Sequence, residues 1–370
     1  LDAVGGQPLL PAARQAWLAA ADQGWSDPAR LHPQGRRAGL LLDTARASLA
    51  ERLGVRPADV YFTSSGPTAV QVAVQGLTAR AGLAPSPRRV VLGAVETMAV
   101  RQPAEQCAGE VVIVPVDATG RIDAEAWRAA VAPPGASRTA PALACLQAAN
   151  PEVGTRQPLA LAAAACREAG VPLLVHAVQV LGRDSVPRDW DVLAASARDW
   201  GGPAGVGILA VRPGAAWQPD QSPDRGWVNG FPDVPGAVAA AAAWEYLEAA
   251  REEEAVRARE GIARLRRQLP EAVDGLLVTG ADEDRLPHVL TMVIDGVVGE
   301  RVVHALAGRG ISVASGSACA SDARMASATL AAMGLGEGAS LRVSLPLGFS
   351  DESVDALLRE LPEIVREERA

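Results

Sequence analysis

Leu159-Ala-Leu-Ala-Ala-Ala-Ala-Cys-Arg-Glu-Ala169, then Gly170-Val-Pro172, then Leu173-Leu-Val-His-Ala-Val178, is the stretch on which the fold turns. Its first part is an amphipathic helical pattern, and Gly170 is a stop signal after it. Leu173–Val178 is a short apolar run that reads as a buried strand. Working outward, Ala142–Leu146, Val111–Val116 and Arg89–Leu92 upstream and Val206–Val211 downstream have the same strand character. A second helical pattern, Asp123–Val131, lies between two of them. Strand, helix and strand in alternation imply right-handed crossovers and a mostly parallel sheet covered on both faces.

The character changes after residue 235. Gly236–Leu269 is one long helical pattern, Ala-rich at its start and Arg/Glu-rich at its end. It is followed by His288–Ile294 (strand), Glu300–Gly308 (helix), Ile311–Ala314 and Leu341–Leu345 (strands) and Asp351–Glu368 (helix). Ser350 is an expected N-cap, with acids in the first turn. The expected architecture is α/β. A large domain covers residues 15–240, and a smaller α+β domain is made of residues 1–14 and 241–370. No internal repeat or disordered tract is apparent.

The chain has 370 residues, ordinary globular composition and a net charge of −8, which argues against a general nucleic-acid or anionic-membrane surface. No apolar run reaches the length of a membrane span. Leu1–Pro8 shows no basic segment leading into an apolar core, so no signal peptide is expected. Cys107, Cys145, Cys166 and Cys319 have no paired spacing, which suits a reducing cytoplasm rather than a disulfide framework. Cys and His do not cluster at metal-ligand spacings, and no metal site is expected. The composition gives 35 Lys plus Arg, and every one of them is Arg; the chain has no lysine.

Several motifs, in order along nearly the whole chain, resemble the cysteine desulfurases, a group of class V pyridoxal phosphate (PLP) enzymes. Leu1-Asp2 with Pro8 resembles their opening motif, and His32-Pro-Gln-Gly-Arg36 their HxxGR element. Phe62-Thr-Ser-Ser-Gly-Pro-Thr68 resembles FTSGGTE, and Glu152-Val-Gly-Thr-Arg-Gln-Pro158 resembles EIGTIQP. His176-Ala-Val-Gln179 falls where DAAQ is expected, and Ser196-Ala-Arg-Asp199 where SAHK is expected. Ser315-Gly-Ser-Ala-Cys319 is similar to the cysteine loop, and Leu341-Arg-Val-Ser-Leu345 to LRFSL. The resemblance implies PLP-transferase fold type I.

The departures fall on the positions that the resemblance assigns to the cofactor. Asp199 stands at the Schiff-base lysine, and a carboxylate forms no imine. Arginine cannot substitute, because its guanidinium stays protonated. His176 stands at the aspartate that protonates the pyridine nitrogen, Thr97 at the stacking histidine and Pro151 at the asparagine near the ring oxygen. Pro67 replaces a phosphate-cup threonine and removes a backbone N–H from a helix start. Arg198 replaces the histidine beside the lysine. Phe231 lies in the segment that would reach across a dimer. Gln179 and Ser196 are kept. The expectation is therefore loss of PLP, with no cofactor and no PLP-dependent desulfurase or aminotransferase catalysis.

Cys319, in a Gly/Ser/Ala loop, falls where the resemblance puts the nucleophile that receives sulfur and hands it to acceptors. Arg342 falls at the substrate-carboxylate arginine, and Arg198 is a second candidate for substrate binding. The leading expectation is a PLP-free desulfurase-like pseudoenzyme that relays a persulfide through Cys319 or acts as a scaffold. It would be a homodimer, or a heterodimer with an active homologue, and would meet a desulfurase or a sulfur acceptor as partner. Nucleic acid and membrane partners are not expected. One alternative is a PLP-independent enzyme in which His176 and Asp199 face one cavity, unless they only fill it as an ion pair. Another is a small-anion binder using His176, Asp199 and Arg342. An active desulfurase is the remaining reading.

Overall fold

The computed structural model describes residues 1–79, 88–132, 140–219, 223–315, 327–335 and 338–370. Seven strands form one sheet: β1 (Val60–Thr63), β2 (Arg89–Gly93), β3 (Glu110–Val114), β4 (Leu143–Gln147), β5 (Leu173–His176), β6 (Val192–Ser196) and β7 (Gly207–Val211). Their order is β1-β7-β6-β5-β4-β2-β3. The pairs from β3 through β6 are parallel, whereas β7 runs antiparallel to both β6 and β1. Strands β2, β4, β5, β6 and β7 are buried at every residue, so helices cover both faces.

The helices of this body are α1 (Pro11–Gln23), α2 (Pro33–Leu53), α3 (Gly66–Ala79), α4 (Met98–Cys107), α5 (Ala124–Val131) and α6 (Leu159–Ala169). One face of the sheet packs with Trp127, Leu173, Val175 and Trp200. The other packs under α3 and α4 through Val70, Ala73, Leu92 and Leu174. Gly170 ends α6 at φ 67°, a left-handed conformation that glycine adopts without steric cost.

A 39-residue helix, α7 (Val234–Ala272), leads away from this body. Beyond it lie β8 (Leu276–Val278), β9 (Val289–Ile294), α8 (Gly299–Gly308), β10 (Ala314–Ser315), α9 (Ala328–Ala332), β11 (Ala339–Ser344) and α10 (Asp351–Arg369). The four strands form a second sheet in the order β10-β11-β9-β8, all antiparallel. Leu265, Leu269, Leu290, Leu341, Leu357 and Leu361 build its own core.

Sequence and structure differ at several elements. The strand expected at Ile311–Ala314 is confined to Ala314–Ser315. Ser350 occupies the N-cap position of α10, but its side chain makes no capping hydrogen bond and meets the Ser353 hydroxyl instead. The periodicity also misses the strands β1, β6 and β8. Among the described residues, no helix is long and apolar enough to cross a membrane.

Candidate functional site

The carboxyl ends of β4, β5 and β6 meet at one edge of the large sheet, where open α/β sheets bind ligands. Gln147, the last residue of β4, pairs with His176, the last of β5. The cleft at this edge has a volume of about 320 Å³. Pro67, Thr97, Pro151, His176, Gln179, Ser196, Arg198 and Asp199 line it, with Val4 and Gly5.

Each of these side chains has a local reason for its place. Asp199 lies in a tight turn, Ala197–Trp200, that follows β6 directly. Gln179 lies in the turn after β5 at φ 58°, a left-handed conformation uncommon outside glycine. That twist aims both its backbone N–H and its side chain at Asp199. The Gln179 N–H donates to Asp199 Oδ2 at 3.1 Å, and Nε2 donates to Oδ1 at 2.9 Å. On its other side, Gln179 Oε1 lies 3.1 Å from Nε2 of His288, the residue just before β9. A buried chain of three side chains thus links the cleft to the second sheet.

Burial sets the protonation of this site. It raises the Asp199 carboxyl to about 6, against the hydrogen bonds from Gln179. Burial lowers His176 to about 4, so its imidazole is neutral at pH 7, and Nδ1 lies 3.3 Å from Thr97 Oγ1. Burial also drives His288 well below its ordinary value. Behind the cleft floor, Glu96 is buried and raised to about 8 while accepting from the Gln147 N–H.

The structure brings His176 and Asp199 to one cleft but does not pair them. No hydrogen bond or ion pair joins them among the described residues, because Asp199 is held by Gln179 and His176 by Thr97. The expectation of an ion pair filling the pocket is corrected accordingly. Arg198 donates to the carbonyl oxygens of Val4 and Gly5, and so ties the amino-terminal segment across the cleft. Arg342 is not on the cleft wall. It is buried in β11 and pairs with Asp2 at 3.1 Å, and its Nε and Nη1 lack an acceptor among the described residues. Phe231 is 64% exposed and does not line the cleft. Cys319 lies outside the described residues.

Among the other thiols, burial raises Cys166 to about 12 and Cys145 well above its ordinary value, which leaves both unreactive. Cys107 is partly exposed. Two features have no counterpart in the sequence analysis: the acid Glu96 under the floor and the bond from His288 to Gln179. Neither carries a signal in the linear pattern, since each depends on an element far away in the chain.

Comparison with known proteins agrees along the whole length. The family described as Aminotransferase class-V matches residues 25–357. The chain is 33% identical over 387 residues to an IscS-like cysteine desulfurase of Mycobacterium tuberculosis, covering 100% of this chain and 96% of that protein. It is 34% identical over 377 residues to a cysteine desulfurase of Cereibacter sphaeroides, covering 98% and 94%. A solved structure of a NifS-like protein superposes with a TM-score of 0.88 at 25% identity, covering 99% of this chain and 98% of that one.

These matches correct the expectation that no cofactor belongs here. Class-V aminotransferases and cysteine desulfurases are PLP-dependent, and PLP is the group that they imply for this cleft. Part of the cleft suits a ligand. The Ser196 hydroxyl is buried on its wall without a partner among the described residues, and a Cβ on Gly66 would stand 2.7 Å from Ser196 Cβ, so the wall is closely fitted. The lysine-bound form of the cofactor does not fit. No side-chain amine is available from a chain without lysine, and the side chain presented after β6 is the carboxylate of Asp199.

Proposed function

We propose, for a chain that belongs to the aminotransferase class-V family and aligns end to end with cysteine desulfurases, a role in sulfur transfer in which Cys319 accepts and passes on a persulfide. One observation carries the reading. At the lysine position of the resembling motif stands Asp199, fixed by two hydrogen bonds from Gln179, in a chain with no lysine. A lysine-based release of sulfur from cysteine has no lysine amine to use here, while the loop sequence Ser315-Gly-Ser-Ala-Cys319 is kept.

The transfer needs no oxidant. The Cys319 thiolate attacks the terminal sulfur of a donor persulfide, a new S–S bond forms, the donor S–S bond breaks, and the donor leaves as a thiolate. The raised values of Cys145 and Cys166 support Cys319 as the thiol to test. In this proposal the chain comprises two domains, 15–240 and 1–14 with 241–370. It acts in the cytoplasm as a homodimer, or as a heterodimer with an active homologue, in the manner of the family.

The test is incubation with an active cysteine desulfurase and cysteine, followed by peptide mass spectrometry. The expected result is a gain of one sulfur on Cys319 that is absent in Cys319→Ser. An unmodified Cys319, under conditions in which the desulfurase itself carries persulfide, overturns the proposal.

A further inference from the structure

A second cavity, distinct from the cleft, opens where α7 and the β8–β9 loop meet the turn after β4. Its volume is about 350 Å³. Four arginines reach it: Arg156 from the large body, Arg259 and Arg266 from one face of α7, and Arg285 from the loop. Nothing in the sulfur-transfer reading uses them.

Their partners are unevenly distributed. Arg156 is bonded to Asp184 at 2.8 Å and lies 3.6 Å from Asp284. Arg266 is paired with Asp282, whose side chain is 93% exposed. Arg285 has no carboxylate partner among the described residues. Its two terminal nitrogens donate to the neutral carbonyl oxygens of Ala281 and Val289, and its Nε is buried without an acceptor among the described residues. Arg259 has no ion-pair partner among the described residues. Asp282, Glu283 and Asp284 also line the cavity; the first and last face Arg266 and Arg156, and Glu283 bonds to none of the four among the described residues.

A guanidinium that is largely out of water and lacks a counterion is costly to maintain. Burial first, then the neighbouring Arg266, lower Arg285 to about 9, and the nearby Asp282 offsets only part of this. The planar fork of arginine matches carboxylate and phosphate oxygens two at a time. The volume is that of a small-molecule pocket. Asp282, being nearly free in solvent, is readily displaced from Arg266 by a better anion.

We propose that the cavity walled by Arg156, Arg259, Arg266 and Arg285 is a binding site for a small polyanion, a metabolite bearing two or more phosphate or carboxylate groups. Such a ligand would bridge the large body and α7, and would stabilise the protein by occupying the folded state alone.

The test uses the full chain with pyrophosphate and citrate as probes, against sodium chloride at matched ionic strength, read by calorimetry and thermal denaturation. At least one probe should bind saturably and raise the Tm where the salt control does not. A response to pyrophosphate alone assigns phosphorylated ligands, and a response to citrate alone assigns polycarboxylates. Arg259→Ala removes an exposed side chain with no ion-pair partner among the described residues, so its fold is expected to persist while affinity falls about tenfold. Asp282→Asn should tighten binding. No saturable response to either probe, or equal affinity in the parent and Arg259→Ala, overturns the proposal.

Discussion

A carboxyl group shut away from water is the residue-scale property with the clearest thermodynamic signature. Glu96 has one oxygen bonded to the Gln147 N–H, while its other oxygen is buried without a partner among the described residues. Its value rises to about 8 from the ordinary 4.5. A raised carboxyl favours the folded state when protonated. Its contribution is therefore full below about pH 4.5 and is lost as the pH climbs toward 8. Glu96→Gln mimics the protonated side chain and should remove that loss. Chemical denaturation at pH 5 and pH 8 should show near-equal stability at the lower pH and a gain for the variant, on the order of a few kcal/mol, at the higher. Equal pH slopes in the two proteins would mean that Glu96 ionises at its ordinary value. Much of the cleft wall was within reach of motif order, since Pro67, Thr97, Pro151, His176, Gln179, Ser196, Arg198 and Asp199 all line it. Glu96 was not, because an acid in Val95-Glu-Thr-Met-Ala99 looks the same whether its loop faces solvent or turns under a sheet.

At the scale of elements, the cleft depends on how closely α3 starts against the end of β6. Gly66 allows this approach, since a Cβ added there would meet Ser196 Cβ at 2.7 Å and the Ser196 backbone at 3.3 Å. Gly66→Ala must push the helix start and the strand end apart, and overpacking of this kind costs about 1–3 kcal/mol. The Tm should fall, and hydrogen exchange at β6 should quicken more than exchange in the second sheet. Uniform protection in the variant would count against the contact. Sequence patterns served the central strands well, because β2, β4 and β5 are buried on both faces and read as unbroken apolar runs. They failed at β6, whose Val192-Leu-Ala-Ala-Ser196 has little of the branched or aromatic content that marks a strand. The bond from His288 to Gln179 joins residues 109 apart in the chain, and no local period contains it.

For the whole molecule, the amino-terminal segment is one of the ties between the two bodies, beside the bond from His288 to Gln179. The Ala3 N–H donates to the Ser344 carbonyl at 3.0 Å, Val4 N–H to the Ser344 hydroxyl at 3.0 Å, and Leu10 N–H to the Gly201 carbonyl at 2.9 Å. Asp2 supplies the carboxylate to the buried Arg342. Asp2→Asn leaves that guanidinium without this counterion, at a cost of about 2 kcal/mol, moderated by the partial exposure of Asp2. Denaturation should register the loss, and Arg342→Met made in the Asp2→Asn background should recover part of it. If the double variant is no more stable than Asp2→Asn, the pair is not what stabilises this junction. Residues 340 apart in sequence must find each other for this tie to close, so ring closure carries a large entropic toll and cannot occur on the ribosome until β11 has emerged. Until then Asp2 waits in solution for its eventual partner. The consequence is that a bulky fusion placed ahead of Asp2 would crowd a contact that exists only once β11 is in place, and should weaken this junction while leaving the strand pairs of the central sheet intact.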